Sequence, residues 1–298
     1  MTEACIHRPS AFQRLLALPK RYGFEIYLLR RNPMTMLGLG VVVLVVVLAL
    51  LAPVIAPYNP IDVKPSDRLQ GPTAAHWMGT DDFGRDIASR VIYAARVDLL
   101  IAVSAVGIAA LVGVTLGSVA GYFRGAVDEM IMRTLDVVQA FPAFILAMGL
   151  AVALGASKAN IVYVVAFIMV PIFARLARSE MLSMRERGFA EAARCMGASN
   201  REIIFGHLLP NCLTPILVQF AMGMSYAILD AAGLSFVGLG VRPPEAEWGS
   251  MVNQGVSFIV SGQWWMSIFP GLMMSVTILG FNLLADGLRD VFDPKLRS

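Results

Sequence analysis

The chain has 298 residues, of which 57% are hydrophobic and only 15% charged, with a mean hydropathy of +0.68. Soluble domains usually carry about 25% charged residues, so this chain has too few polar side chains to cover a surface in water. Its many apolar residues exclude intrinsic disorder, and a net charge of +3 is too small to indicate a nucleic-acid partner. Cys5, Cys195 and Cys212 do not have the spacing of metal ligands or of a disulfide framework. The composition predicts an integral membrane protein.

Runs without Asp, Glu, Lys or Arg predict where the chain crosses the membrane, because a bilayer core needs about 20 apolar residues in helical form. Six such runs occur, over 32–61, 99–123, 137–157, 159–174, 203–229 and 248–285. The fourth is short, but the charged side chains of Lys158 and Arg175 at its ends can reach the interface. We therefore predict an all-α protein with six transmembrane helices.

The distribution of basic residues predicts the orientation. With the N-terminus inside, 17 Lys and Arg residues lie in inner segments and 7 in outer ones. Both termini are therefore expected in the cytoplasm. The first apolar run is longer than a signal-peptide core, which favours an uncleaved first helix.

Small residues and prolines mark special positions within these runs. Gly113, Gly117 and Gly121 repeat every four residues in the second run, a pattern that lets another helix approach closely. Pro142 and Pro171 lie in the third and fourth runs, where each is expected to kink its helix.

The inner segment Arg185–Asn211 predicts two short helices joined by a turn. Residues Glu186–Met196 favour a first helix, which Gly197 ends as a left-handed cap. Ser199 and Glu202 have the spacing of a capping box, which begins a second helix that Pro210 closes. The segment could be a plain connector, but a connector this long and ordered favours an interaction role.

This segment resembles the EAA loop of ABC importer permeases, whose pattern is E-A-A, three residues, Gly, nine residues and I-x-L-P. The matching residues are Glu191, Ala192, Ala193, Gly197, Leu209 and Pro210. His207 stands where the general pattern has Ile, and a His followed by L-L-P-N looks like the peptide and nickel branch. The resemblance implies that these seven positions contact the ATPase.

Further blocks resemble the second permease subunit of dipeptide and oligopeptide importers. They are His76–Asp86, Leu234–Gly240, Pro243-Pro244 with Glu247–Gly249, and Asn282–Asp290. The resemblance implies the type I importer permease fold with an extra N-terminal helix. Residues 1–96 would hold that helix and a long periplasmic loop, and residues 97–290 the permease domain with the coupling loop 185–211.

The same resemblance implies a transport function in the bacterial cytoplasmic membrane. The chain would form half of a path for di- or oligopeptides, together with a sister permease, two cytoplasmic ATP-binding subunits and a periplasmic or lipid-anchored solute-binding protein. Nickel and glutathione remain alternative solutes, because similar subunits carry them.

No residues predict catalysis, a cofactor or a metal site. None of the four lysines follows a glycine, so the chain lacks a phosphate-binding loop, and ATP hydrolysis would need other subunits. Asp81, Asp82 and Asp86 lack the spacing of a calcium loop. We expect them to have a structural role on the outer side, with turns at Gly79 and Gly84.

Asp230 is the charged residue that interrupts the fifth apolar segment. An ionised carboxylate inside a membrane should face protein or water, so Asp230 either lines the path or forms an interhelical hydrogen bond. An ion-coupled secondary transporter is the main rival function, but it predicts an internal repeat and several buried charges. We see no repeat, and only Asp136 and Asp230 are candidates. A membrane enzyme lacks any catalytic group of residues.

Overall fold

The computed structural model describes residues 32–292, and most of them are helical. The first helix, α1, spans Pro33–Ile55 and agrees with the first predicted span. Asn32 caps it, because its side-chain oxygen accepts a hydrogen bond from the Met34 N–H at 3.0 Å. Cys5 and both chain ends, whose cytoplasmic location the sequence predicts, lie outside the described residues.

The segment 57–86, between α1 and the next long helix, folds back on itself through tight turns. Gly79 and Gly84 have φ angles of +76° and +74°, which glycine adopts without strain, so the predicted turns are confirmed. A Cβ atom at Gly84 would overlap the carbonyl oxygen of Lys64. The chain therefore packs too closely here for any side chain.

Buried charged residues hold the segment 57–86 against the next helix, α2, which spans Ile87–Phe123. Asp86 begins α2 by accepting the Ser89 N–H at 2.8 Å, and it accepts a second hydrogen bond from the His76 ring at 2.9 Å. Asp81 accepts the Arg85 Nε–H at 2.7 Å. Both aspartates thus have the structural role that the sequence predicts.

Helix α2 packs against α5, which spans Lys158–Met184, through the predicted glycine face. A Cβ at Gly113 would lie 2.6 Å from the Val170 carbonyl oxygen, and one at Gly117 would overlap the backbone of Ala174. The prediction of a close helix contact is confirmed.

The third predicted span, 137–157, is not one helix. Helix α3 spans Gly125–Gln139, helix α4 spans Ala143–Leu154, and the two meet at 85°. Pro142 causes the break, because it has no N–H to donate and disfavours a helical conformation in the residue before it. The 12 residues of α4 reach only about 18 Å.

Helix α5 extends well beyond the 16-residue run that predicted it and continues through Pro171. Two of its charges are neutralised by α3. Arg175 pairs with Asp136 at 2.7 Å, and Arg178 binds Asp128 with two nitrogens at 2.5 and 2.6 Å. These pairs allow the helix to continue past its apolar part.

The last predicted run, 248–285, contains two helices instead of one. Helix α7 spans Leu213–Phe236, α8 spans Trp248–Ile259 and α9 spans Trp265–Phe292. Thirty-eight uncharged residues are nearly twice what one crossing needs, and Gly262 turns the chain with a φ of +93°. Helix α8 packs against both α7 and α9.

Among the described residues, α1, α2, α5, α7 and α9 are long and apolar enough to cross a membrane. The bent pair α3–α4 makes a sixth crossing if it is counted as one. The buried core lies mainly between α2, α5 and α7. The boundary expected between residues 96 and 97 falls inside the continuous helix α2.

Candidate functional site

The candidate site is the loop between α5 and α7, and it begins with helix α6, Gly188–Cys195. This helix is shorter than the predicted Glu186–Met196, because Arg187 is extended (φ −82°, ψ 145°). Ala190 and Ala193 are buried, whereas Glu191 is exposed. The helix thus has one face on the protein and one face towards solvent.

Gly197 ends α6 in a left-handed conformation, with a φ of +80°. The Gly197 N–H donates to the Arg194 carbonyl at 3.0 Å, and the Ala198 N–H donates to the Ala193 carbonyl at 3.1 Å. These bonds satisfy carbonyl groups at the end of the helix. The predicted glycine cap is confirmed.

Ser199 and Glu202 form the predicted capping box. The Ser199 N–H donates to the Glu202 carboxylate at 2.8 Å, and the Glu202 N–H donates to the Ser199 hydroxyl at 3.3 Å. Hydrogen bonds from the backbone and the hydroxyl of Ser199 favour the charged form and lower the pKa of Glu202.

The segment that follows is not the regular α-helix that the sequence predicts. A π-helix spans Glu202–Leu208, and a 3₁₀ turn spans Leu209–Asn211. Pro210 lacks the N–H for an α-helical bond to Gly206, and its ring crowds that carbonyl. π-helical turns are rare and are frequently found at functional sites.

A small apolar cluster ties the loop to the C-terminal ends of α2 and α5. It contains Tyr122 of α2, Met181 of α5 and five loop residues: Ala190, Ala193, Ile203, Ile204 and Leu208. The Tyr122 hydroxyl donates to the Asn200 side chain at 2.8 Å, and the Arg194 guanidinium lies 5.6 Å from the centre of the Tyr122 ring. Movement of the loop would therefore move α2 and α5.

The structure separates the predicted loop residues into an outward set and an anchoring set. The outward set is exposed and consists of Glu191, Ala192, Gly197, His207 and Pro210. Ala193 is buried and Leu209 is half-buried, so these two hold the loop in place.

Three large apolar side chains on this surface were not predicted. Met196 is 80% exposed, Phe189 41% and Phe205 40%. Large apolar side chains exposed on one ordered loop are typical of a protein interface. The sequence offers one signal for them, since Met196 directly precedes the capping glycine.

Asp230 lies in the second half of α7 and is half-buried. Tyr226, one turn earlier, is 52% exposed, and the Phe144 ring of α4 packs against Gly233, one turn later. No hydrogen-bond or charged partner reaches the Asp230 carboxylate from within residues 32–292. The interhelical hydrogen bond considered above is therefore not formed in this part of the chain.

A pair of buried carboxylates, on Asp98 and Glu247, joins α2 to α8. Asp98 accepts the Trp248 N–H at 3.1 Å, and the adjacent Glu247 accepts the N–H groups of Gly249 and Ser250 at 2.8 and 2.7 Å. Asp98 and Glu247 are 1% and 0% exposed. The sequence gives no sign of this pair, because both residues only mark the ends of apolar runs.

The model of a known family matches more than half of this chain. The family is described as binding-protein-dependent transport system inner membrane component, and the match covers residues 113–298. The chain belongs to this family. This permease also matches, over residues 27–72, a family described as the N-terminal TM domain of oligopeptide transport permease C. It is a multi-pass component of a transport system, not an enzyme.

Curated relatives align with this permease along nearly its whole length. The dipeptide transport system permease protein DppC of Alkalihalophilus pseudofirmus is 44% identical over 290 residues, which are 97% of this chain and 94% of the relative. The probable D,D-dipeptide transport system permease protein DdpC of Escherichia coli is 39% identical, covering 91% and 90%. The glutathione transport system permease protein GsiD of Pectobacterium atrosepticum is 42% identical, covering 91% and 89%. The resemblance to importer permeases and the fold class are confirmed.

Proposed function

We propose that this permease forms one half of the path by which an ATP-driven importer carries dipeptides or oligopeptides across the bacterial cytoplasmic membrane. The observation that carries this proposal is the 44% identity, across 97% of the chain, to a protein named for dipeptide transport. The other half of the path is a sister permease. ATP is hydrolysed by two separate cytoplasmic subunits, and a solute-binding protein delivers the peptide from outside.

The coupling surface is the exposed set Glu191, Ala192, Gly197, His207 and Pro210, together with Met196. Its support is the combination of an ordered turn, an outward charge and outward apolar side chains. Such a surface can receive force from a docked ATPase without unfolding, because it is capped at both ends of the turn.

Helix α2 links the coupling surface mechanically to the outer side of the protein. Its inner end carries Tyr122, which packs with the loop, and its 37 residues rise about 55 Å to the outer segment. Closure of the ATPases would tilt α2 and α5 as one unit, because their backbones are in close contact at Gly113 and Gly117. This tilt would open the path alternately to each side.

In our proposal, Asp230 lines the path that the peptide takes. Its carboxylate is half-buried without a partner among the described residues, and it lies between Tyr226 and Gly233 on α7. A carboxylate at this depth needs water or a cation, and the ammonium group of a peptide supplies one. Asp230→Asn should therefore reduce peptide uptake.

Uptake by the reconstituted full complex tests the function. Liposomes containing this permease, its sister, both ATP-binding subunits and the solute-binding protein should accumulate a radiolabelled dipeptide only when ATP is present. Liposomes containing this permease alone should not accumulate it under any ion gradient, and gradient-driven uptake would show a secondary transporter. Accumulation of glutathione but not of dipeptides would replace the proposed solute with that of the 42% identical relative.

A further inference from the structure

A groove with a volume of about 1030 Å³ lies between α1, α2, α7 and α9. Leucine, valine, phenylalanine, methionine and alanine side chains make its interior, among them Leu50, Val103, Leu217 and Leu284. Leu50, Val103 and Leu217 are between 50% and 71% exposed, so the groove opens to the side of the helix bundle. Neither the coupling loop nor Asp230 lines it.

The charged side chains that line this groove lie at its outer end. They are Arg96 on α2, Lys158 at the start of α5 and Glu245 after α7. Lys158 and Glu245 form an ion pair, so their charges cancel. Arg96 is exposed and pairs with no acidic residue among those described, which leaves the mouth with a net charge of +1.

The helix register places this mouth at the level of the lipid headgroups. Helices α2 and α5 lie side by side, so that Lys158 lines a small neighbouring pocket together with Ile101. From Arg96 to Phe123, α2 rises about 40 Å, which equals the thickness of a bilayer with its headgroups. With the C-terminal end of α2 at the inner surface, where Tyr122 packs against the coupling loop, Arg96 lies among the outer headgroups.

We propose that this groove binds one phospholipid of the outer leaflet, with its phosphodiester against Arg96 and its acyl chains along the apolar wall. The naming of the leaflet rests on the proposed orientation, whereas the site itself does not. A phosphodiester carries one negative charge, which balances the net charge of +1 at the mouth. Arginine binds phosphate with two parallel hydrogen bonds. The apolar wall shields acyl chains and offers them no polar group.

Two other occupants fit the groove less well. One is a transmembrane helix of another subunit. Where helices of this chain meet closely they use glycine, as at Gly117 and Gly280, but no glycine lines the groove. A peptide needs hydrogen bonds for its backbone, and the interior wall is apolar.

Lipid retention by the purified protein tests the proposal. The full chain, with the subunits that co-purify with it, is incorporated into bilayers of phosphatidylethanolamine and phosphatidylglycerol, extracted, washed with lipid-free detergent and analysed by native mass spectrometry. We expect one phospholipid adduct per chain, of either headgroup. Arg96→Glu and Val103→Trp should each reduce the adduct at least fivefold, because the first reverses the charge and the second fills the groove.

Two matched variants control for general effects. Arg242→Glu reverses an exposed outer charge, and Leu111→Trp enlarges a side chain on α2 that is 72% exposed; neither residue lines the groove. Both should retain the lipid. The proposal would be overturned if all four variants lost the lipid equally, or if none of them lost it. A Val103→Trp variant that releases a protein subunit while keeping its lipid would also overturn it and would make the groove a subunit interface. Solute uptake is not measured, so failure here leaves the proposed function untouched.

Discussion

The carboxylate of Asp98 on α2 accepts a hydrogen bond from the backbone N–H of Trp248 at 3.1 Å and thereby joins α2 to the start of α8. The Trp248 indole N–H adds a second link, because it donates to the Val91 carbonyl at 3.1 Å. These bonds connect residues 150 positions or more apart in the chain. They fix helix α8 to the same long helix that contacts the loop 185–211 at its other end.

We predict that Asp98→Leu destabilises the protein and that Asp98→Asn does not. Leucine would leave the buried Trp248 N–H without an acceptor, which costs about 1–3 kcal/mol. Asparagine keeps an acceptor oxygen, and its amide can donate to Glu247. Thermal unfolding of the detergent-solubilised complex measures the difference. Equal loss in both variants would mean that the negative charge of Asp98, rather than its shape and acceptor, is required.

The glycine face of α2 gives a second prediction. A Cβ at Gly117 would overlap the Ala174 backbone, whereas one at Gly107 on the same helix would meet no heavy atom within 4 Å. Gly117→Val should therefore separate α2 from α5 and destabilise the protein by about 1–3 kcal/mol or more, as overpacking does. Gly107→Val makes the same change in helix propensity without the clash. Similar yields and unfolding temperatures for the two variants would contradict close packing at Gly117.

The features that the sequence predicted depend on local chemistry. The Gly197 cap, the Ser199 and Glu202 box and the turns at Gly79 and Gly84 each involve residues only a few positions apart, so the local sequence specifies them. The glycine face of α2 was predictable for a related reason, because a helical period places its members on one side.

The features that the sequence missed depend on distant partners. Counting charges could not show that Arg175, which ends the fourth apolar run, is neutralised by Asp136, so that run was shorter than the helix that it predicted. It could not show that Asp98 and Glu247 meet, because 149 positions separate them in the chain. The break at Pro142 was predicted only as a kink, since the angle between α3 and α4 depends on what each helix packs against.

Thiol labelling tests the proposed orientation. Cys195 is exposed on the coupling loop, whereas Cys212 is buried, and that burial raises the pKa of its thiol to about 11. In a Cys5→Ser background, an impermeant maleimide should label Cys195 only after cell lysis. Thr73→Cys, on the exposed outer segment, should react in intact cells once Cys195 is also replaced by serine. Labelling of Cys195 in intact cells would reverse the topology.

The coupling loop gives the last prediction, which separates backbone strain from lost contact. Gly197 has a φ of +80°, and a Cβ there would meet no heavy atom within 4 Å. Within this chain, a side chain at this position therefore acts only through the backbone. Valine strongly disfavours this conformation, at a cost on the order of 1–3 kcal/mol, whereas asparagine is several-fold enriched in it.

Gly197→Val should therefore turn the exposed Glu191 and Met196 away from the ATPase, while Gly197→Asn should leave them in place. We expect peptide uptake and binding-protein-stimulated ATP hydrolysis to fall at least fivefold in the valine variant and to stay near the original level with asparagine. Glu191→Lys, which reverses an exposed charge on an unchanged backbone, should weaken co-purification of the ATP-binding subunits. If Gly197→Val and Glu191→Lys both retain full uptake and bound ATPases, the loop is a connector and the coupling surface lies elsewhere.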